Sequence, residues 1–142
     1  MPFGRSRCGG QAPHRERSAA WLSEVLSAGE PVGFAHSVLF GFARIATSAR
    51  VYRSPMTPAE AASHVRSWLE QPVARVVAPS GGHVADVLRW LERLGTAGNL
   101  VTDAQIAALA IEHDAVVHTA DADFLRFPGL RWWNPITGQS SG

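Results

Sequence analysis

Lysine is absent from this sequence: all 13 basic residues are arginine. Against 12 acidic residues they leave a formal net charge of +1, so no bulk basic field marks the chain as a nucleic-acid binder. Arginine makes better bidentate phosphate contacts than lysine, but coding bias in a GC-rich genome is the simpler source of this composition. The charge permits RNA as a partner without arguing for it. Cysteine occurs once, at Cys8, which excludes an internal disulfide and fits a reducing cytoplasm. No apolar run reaches the ~18–20 residues that a membrane span needs, and Met1-Pro2-Phe3-Gly4-Arg5 lacks the apolar core of a secretory signal. The expected location is cytoplasmic, with no membrane partner. The spacing H-E-x-x-H is missing: His36, His64, His83, His113 and His118 are scattered and read as surface or core residues rather than zinc ligands. No acidic residue occurs before Glu16.

What is there is one small folded domain: 142 residues, 46% hydrophobic and 18% charged. Residues 1–13, rich in Gly, Arg and Pro without periodicity, read as an irregular N-terminal arm. Regular structure is expected from His14, where Ala19, Leu22, Val25 and Leu26 recur at helical spacing before Gly29. Pro31–Ala35 reads as a buried strand, and 37–48 as a helix with Val38, Leu39, Phe42, Ile45 and Ala46 inward. Thr57-Pro58-Ala59-Glu60 is a capping box opening a helix to about Glu70. Arg75–Ala78 reads as a strand, and Gly82–Leu94 as an amphipathic helix with Val84, Val87, Leu88 and Leu91 on one face. A helix opening at Thr102 packs Ile106, Ala107, Leu109, Ala110 and Ile111 tightly. Ala115–His118 and Leu130–Trp133 are the last strands, and the polar residues 137–142 read as a loose tail. Helices alternating with short apolar strands predict an α/β fold with a parallel sheet covered on both faces. Sites in such sheets lie beyond the carboxyl ends of the strands.

Two acidic motifs fall near such ends. Asp103 stands in the first turn of a helix, where the helix dipole alone would explain it, by up to ~1 kcal/mol. Asp121 and Asp123, in Thr119-Ala120-Asp121-Ala122-Asp123-Phe124, follow a strand directly, where an ordinary turn would explain them. Together they weigh more. If the helix from Thr102 connects neighbouring parallel strands, Asp103 and Asp121 share one edge of the sheet. Clustered carboxylates are costly to bury unless a cation neutralises them, and such oxygen ligands suit Mg²⁺ or Mn²⁺. A metal of this kind lowers the pKa of a bound water and holds a phosphate oxygen.

The stretches G-N-L-V-T-D-A-Q-I-A-A-L-A-I-E-H (98–113), T-A-D-A-D-F (119–124) and F-P-G-L-R-W-W-N-P (127–135) resemble the C-terminal half of PIN-domain ribonuclease toxins of the VapC type. So do G-F-A-R-I-A-T-S-A-R-V-Y (41–52) and S-W-L-E-Q-P (67–72), which are most similar to the mycobacterial members. The resemblance covers about residues 14–136, which sets the boundaries of a PIN-like domain between the arm and the tail. It implies an α/β/α sandwich and an Mg²⁺- or Mn²⁺-dependent endoribonuclease. It also implies an RNA substrate, a cognate antitoxin and a homodimer. Carried over by motif, Asp103, Asp121 and Asp123 are the catalytic and metal-binding residues. Thr119 is the hydroxyl beside them, and Asn99 helps order the loop before the helix.

The sequence departs from the family in two places. Members usually begin with a hydrophobic strand bearing a metal-binding aspartate, whereas residues 1–13 read as neither strand nor carboxylate. Many also carry a glutamate on the helix matching 37–48, where this chain has Gly41. The first strand is therefore expected to be missing or replaced. A missing central strand would leave two strand edges unpaired inside the domain, and the expected consequence is a partly folded or aggregation-prone chain. The alternative function is an inactive PIN-domain remnant that only binds an antitoxin. The tryptophans Trp68, Trp90, Trp132 and Trp133 are candidates for partner surfaces, with at least half of them expected to fill the core.

Overall fold

The computed structural model describes the backbone of residues 2–5 and 12–141, and the side chains of residues 20–141. Eleven elements follow one another: β1 (Pro2–Arg5), α1 (Ala12–Ser27), β2 (Val32–Ala35), α2 (His36–Ala46), α3 (Pro58–Leu69), β3 (Ala74–Val77), α4 (His83–Leu94), α5 (Leu100–Glu112), β4 (Val116–Thr119), a 3-10 helix (Ala122–Arg126) and β5 (Trp132–Trp133). The strands form one sheet in the order β3-β2-β1-β4-β5, and every pairing is parallel. The expected α/β architecture is therefore the observed one.

The first strand corrects the sequence reading. Pro2–Arg5 is a strand, and it is the central one, pairing with β2 through Phe3 and Gly33 and with β4 from Pro2↔Val116 to Arg5↔Thr119. Residues 6–11, with Cys8, lie outside the described residues, and α1 begins at Ala12 rather than His14. Strand propensity does not account for a four-residue segment containing Pro2 and Gly4. The flanking strands do: β2 and β4 each present a row of backbone donors and acceptors that buried structure must satisfy. Proline is tolerated as the first residue of a strand, where a missing donor matters least. The unpaired interior edges on which the expected instability rested are not present.

Side-chain alternation along β2 separates two layers of core. Val32 and Phe34 point to one face and Ala35 to the other. In register with them, Ala74 joins Val32, and Val77 joins Ala35. On the first face Val32, Phe34, Leu39 and Ala74 pack against half-buried Leu22, Val25 and Leu26 of α1 and Val65, Trp68 and Leu69 of α3. On the second, Ala35, Val77 and Val117 meet Val87 of α4, the buried run Ala104–Ala110 of α5, and Phe124, Phe127 and Leu130. The sheet thus lies between two helical layers, the sandwich expected from the resemblance.

Several local readings shift. Thr57 caps α3, accepting the Glu60 N–H at 3.1 Å, as the capping box predicts. On α5, Ile111 is 46% exposed instead of packed, and on α4 Val84 and Leu88 lie open although Val87 is buried. Helical periodicity alone places these side chains wrongly. The tail is not loose as far as Ser141. Ser140 bridges Trp133, the Ser141 N–H donates to the Trp132 carbonyl, and the Trp132 N–H donates to Ser141 Oγ, both at 3.0 Å. Backbone pairing holds this segment against β5 despite its polar side chains.

Candidate metal centre

Asp103 stands in the first turn of α5. A glycine turn delivers the chain there, with Gly98 at φ +58°, a conformation that favours glycine. From Leu100 to Ala110 the helix is buried on almost every side, so its position is set by packing rather than by one apolar stripe. Asp103 is itself 0% exposed. Its carboxylate is carried on the most buried helix among the described residues and lies at the end of the helix where the dipole favours negative charge.

Asp121 and Asp123 come from the chain leaving β4. Thr119, buried on the face turned to α5, accepts the Asp121 N–H on Oγ1 at 3.0 Å. Asp121 Oδ1 in turn accepts the Asp123 N–H at 3.0 Å and caps the 3-10 helix. Phe124, wholly buried, anchors that helix. The turn chemistry that would explain these aspartates without function is thus present, and it also fixes their carboxylates. Asp123 is the outermost, 4.0 Å from the Arg126 Nε across one helical turn.

The three aspartates converge. One carboxylate oxygen from each lies within 4.8 Å of the others, at the carboxyl edge of the sheet. The sequence reading placed them there, and the geometry brings all three together. Asn99 does not join them: it occupies the N-cap position of α5, exposed and without a side-chain capping bond. The position beside Thr119 on the central strand is Arg5, so β1 supplies the strand but no carboxylate.

A family model for the PIN domain matches residues 10–130. The chain belongs to the PIN-domain family. Within it, this PIN domain is 42% identical over 124 residues to ribonuclease VapC33 of Mycobacterium tuberculosis, covering 87% of both chains. It is 41% identical over 122 residues to ribonuclease VapC37 of the same organism, covering 86% of this chain and 85% of that protein. VapBC-1 from nontypeable Haemophilus influenzae shares the fold with a TM-score of 0.65 at 16% identity, covering 96% of this chain and 99% of that one.

One half-buried histidine of this PIN domain, read from the sequence only as a surface or core residue, has a defined partner. His118, on β4 just before Thr119, points to the opposite face of the sheet from Val117 and Thr119. There its Nδ1 accepts the Trp21 indole N–H at 2.9 Å, and its ring lies 5.0 Å from that of Trp133. Burial lowers its pKa to about 4, so the ring is neutral at pH 7 with its proton on Nε2. A polar residue closing an otherwise apolar strand was the available signal. Its partner, 97 residues away, was not legible. The tryptophans singled out for partner surfaces are all half-buried. Trp68 packs on Phe34 and Phe42, and Trp90 on Phe127.

Proposed function

We propose that this protein is a metal-dependent endoribonuclease of the VapC type, the toxin of a toxin–antitoxin pair, with Asp103, Asp121 and Asp123 as its metal-binding and catalytic residues. The observation that carries the reading is the convergence of three carboxylates at one sheet edge, one of them fully buried. Three hard oxygen donors this close fit Mg²⁺ or Mn²⁺. When bound, such an ion supplies an acidified water and charge stabilisation at a phosphate. The protein's own part is positional. The packing of α5 holds Asp103, and the bonds from Thr119 and within the Asp121 turn hold the other two, so the donors need little rearrangement to receive a cation.

RNA as substrate follows from the names of the relatives, which are called ribonucleases. A cognate antitoxin and a homodimer follow from membership of the VapC group. Exposed Val84 and Leu88 of α4, with Ile111 of α5, offer apolar surface for a protein partner. Ile111 lines a cleft of about 390 Å³ whose lining mixes Asp86 and Glu112 with Arg89 and Arg93, a balance of charge suited to a protein rather than a polyanion.

The test is cleavage of single-stranded RNA with Mn²⁺, without and with EDTA, by the native chain and by Asp103→Asn. Native cleavage should be abolished by EDTA and reduced roughly a hundredfold or more by the substitution. Cleavage indifferent to both would refute the site. An inactive chain that still binds a VapC-type antitoxin would favour the remnant reading instead.

A further inference from the structure

The carboxyl edge of the sheet carries a second feature, two strands away from the aspartates. β2 ends at Ala35 and α2 begins at once with His36. Only β1 separates β2 from β4, so the start of α2 lies about two strand spacings, roughly 10 Å, from the strand that presents Asp121. On α2, His36, Phe40 and Arg44 recur at i, i+4 and i+8 and form one face. All three are exposed, while Leu39 and Ala46 on the other side are buried. Phe40 is 70% exposed, the most open of the large hydrophobic residues among those described. Its ring lies nearly parallel to that of His36, with centroids 6.5 Å apart and planes at 26°.

Charge sets this face apart from the rest of the surface. No Asp or Glu occurs between Glu30 and Glu60, and that interval contains Arg44, Arg50 and Arg53, all exposed. In a chain whose net charge is only +1, this stretch of sequence carries charge of one sign alone. An exposed aromatic pair leading into unopposed arginines is the combination that holds single-stranded nucleic acid: the rings stack bases, and the guanidinium groups meet phosphates. The cleft at α4 and α5, by contrast, has acids interleaved with its arginines.

We infer that the His36–Phe40–Arg44 face of α2 is an RNA-binding subsite, which stacks an unpaired base on Phe40 and leads the strand's backbone along Arg44, Arg50 and Arg53 while the adjoining phosphodiester lies at the aspartates. The inference rests on the ribonuclease reading for its geometry, but its test is separable. Binding of a labelled single-stranded RNA of mixed sequence is measured by fluorescence anisotropy in EDTA, with the full chain, so that cleavage does not enter. Phe40→Ala should weaken binding roughly 5- to 100-fold. Phe40→Leu, which keeps an apolar side chain without a ring, should weaken it as well, and Phe40→Trp should restore it. Arg44→Gln should weaken binding several-fold and reduce the dependence of log affinity on log salt by about 0.7, the release of one counterion from a single strand. With Mn²⁺ present, the loss in Phe40→Ala should fall on KM rather than kcat. Native-like RNA affinity in Phe40→Ala would overturn the inference. So would loss of antitoxin binding in that variant with RNA binding intact, since the face would then serve a protein. Failure of the native chain to cleave RNA would overturn the ribonuclease reading, and the anisotropy series would still decide the subsite.

Discussion

The two faces of the sheet are built to different standards. The face under α4 and α5 is dry: α5 from Ala104 to Ala110 has only Gln105 outside the buried class, and Phe124, Phe127 and Val117 close the layer. The core cluster under α1 and α3 has four buried residues among those described, surrounded by half-buried ones, and it relies on rings, with Phe34 stacked on Trp68 at 6.2 Å and Phe42 edge-on to Trp68 at 4.7 Å. The acidic site belongs to the dry face. Holding three carboxylates together without collapse requires supports whose rotamers are locked by packing, and an all-round buried helix supplies them. The open flank of α2, where exposure is greatest, is where a ligand-binding face has room to form.

Cavity mutations measure that difference most directly. Ile106→Ala, on the dry face and 0% exposed, should cost about 3–4 kcal/mol in denaturant unfolding, because close-packed surroundings relax little into the void. Leu69→Ala, among the half-buried residues of the other face, should cost about 1–2 kcal/mol, since water and mobile neighbours fill part of the space. Equal costs would break the comparison.

A proton tests the other face. His118 is half-buried there, with a pKa lowered from 6.5 to about 4. Between those values the unfolded chain binds the proton and the folded one does not. Stability is therefore full above about pH 6.5, falls as the pH drops towards 4, and loses nothing further from this group below that. The shift corresponds to at most about 3 kcal/mol across the window, reduced by the solvent that reaches a half-buried ring. His118→Gln keeps an acceptor for the Trp21 indole but has no proton to take up. Subtracting its pH–stability curve from that of the native protein should leave a slope of about 1 kcal/mol per pH unit between pH 4 and 6.5. Parallel curves would show that the ring is solvated despite its neighbours.

What was legible in the sequence followed from local chemistry. Asp103, Asp121 and Asp123 were visible because each sits at a helix start or strand end, where its short-range role can be written from neighbouring residues. The parallel sheet was visible because Val32–Ala35 and Ala115–Val117 are continuous apolar runs. β1 was not visible, because Pro2-Phe3-Gly4-Arg5 owes its strand to the backbones of β2 and β4, 30 and 114 residues distant in register. The pairing of Trp21 with His118, the exposure of Val84, Leu88 and Ile111, and the anchoring of Ser140 and Ser141 beside β5 failed for the same reason. Each depends on what the fold brings alongside, and periodicity carries no record of that. Phe40 was correctly left off the inward face of α2, but only the strand order puts the start of α2 on the sheet edge that carries the aspartates.

The smallest expected effect sharpens the comparison at its margin. α3 covers the less tightly packed face, and its start is held by Thr57 through a single hydrogen bond from the Glu60 N–H, both residues being exposed. With modest burial behind it, only Ala61 of α3 being fully buried, the helix depends more on its cap than a helix gripped on all sides would. Thr57→Ala should destabilise the protein by about 1 kcal/mol, and amide exchange should speed up in the first turn of α3 before it does elsewhere. α5 offers the control: its N-cap residue Asn99 makes no capping bond, so Asn99→Ala should cost less than about 0.5 kcal/mol. A larger loss for Asn99→Ala than for Thr57→Ala would mean that α5 is held at its end rather than by its packing, and the contrast between the two faces would have to be redrawn.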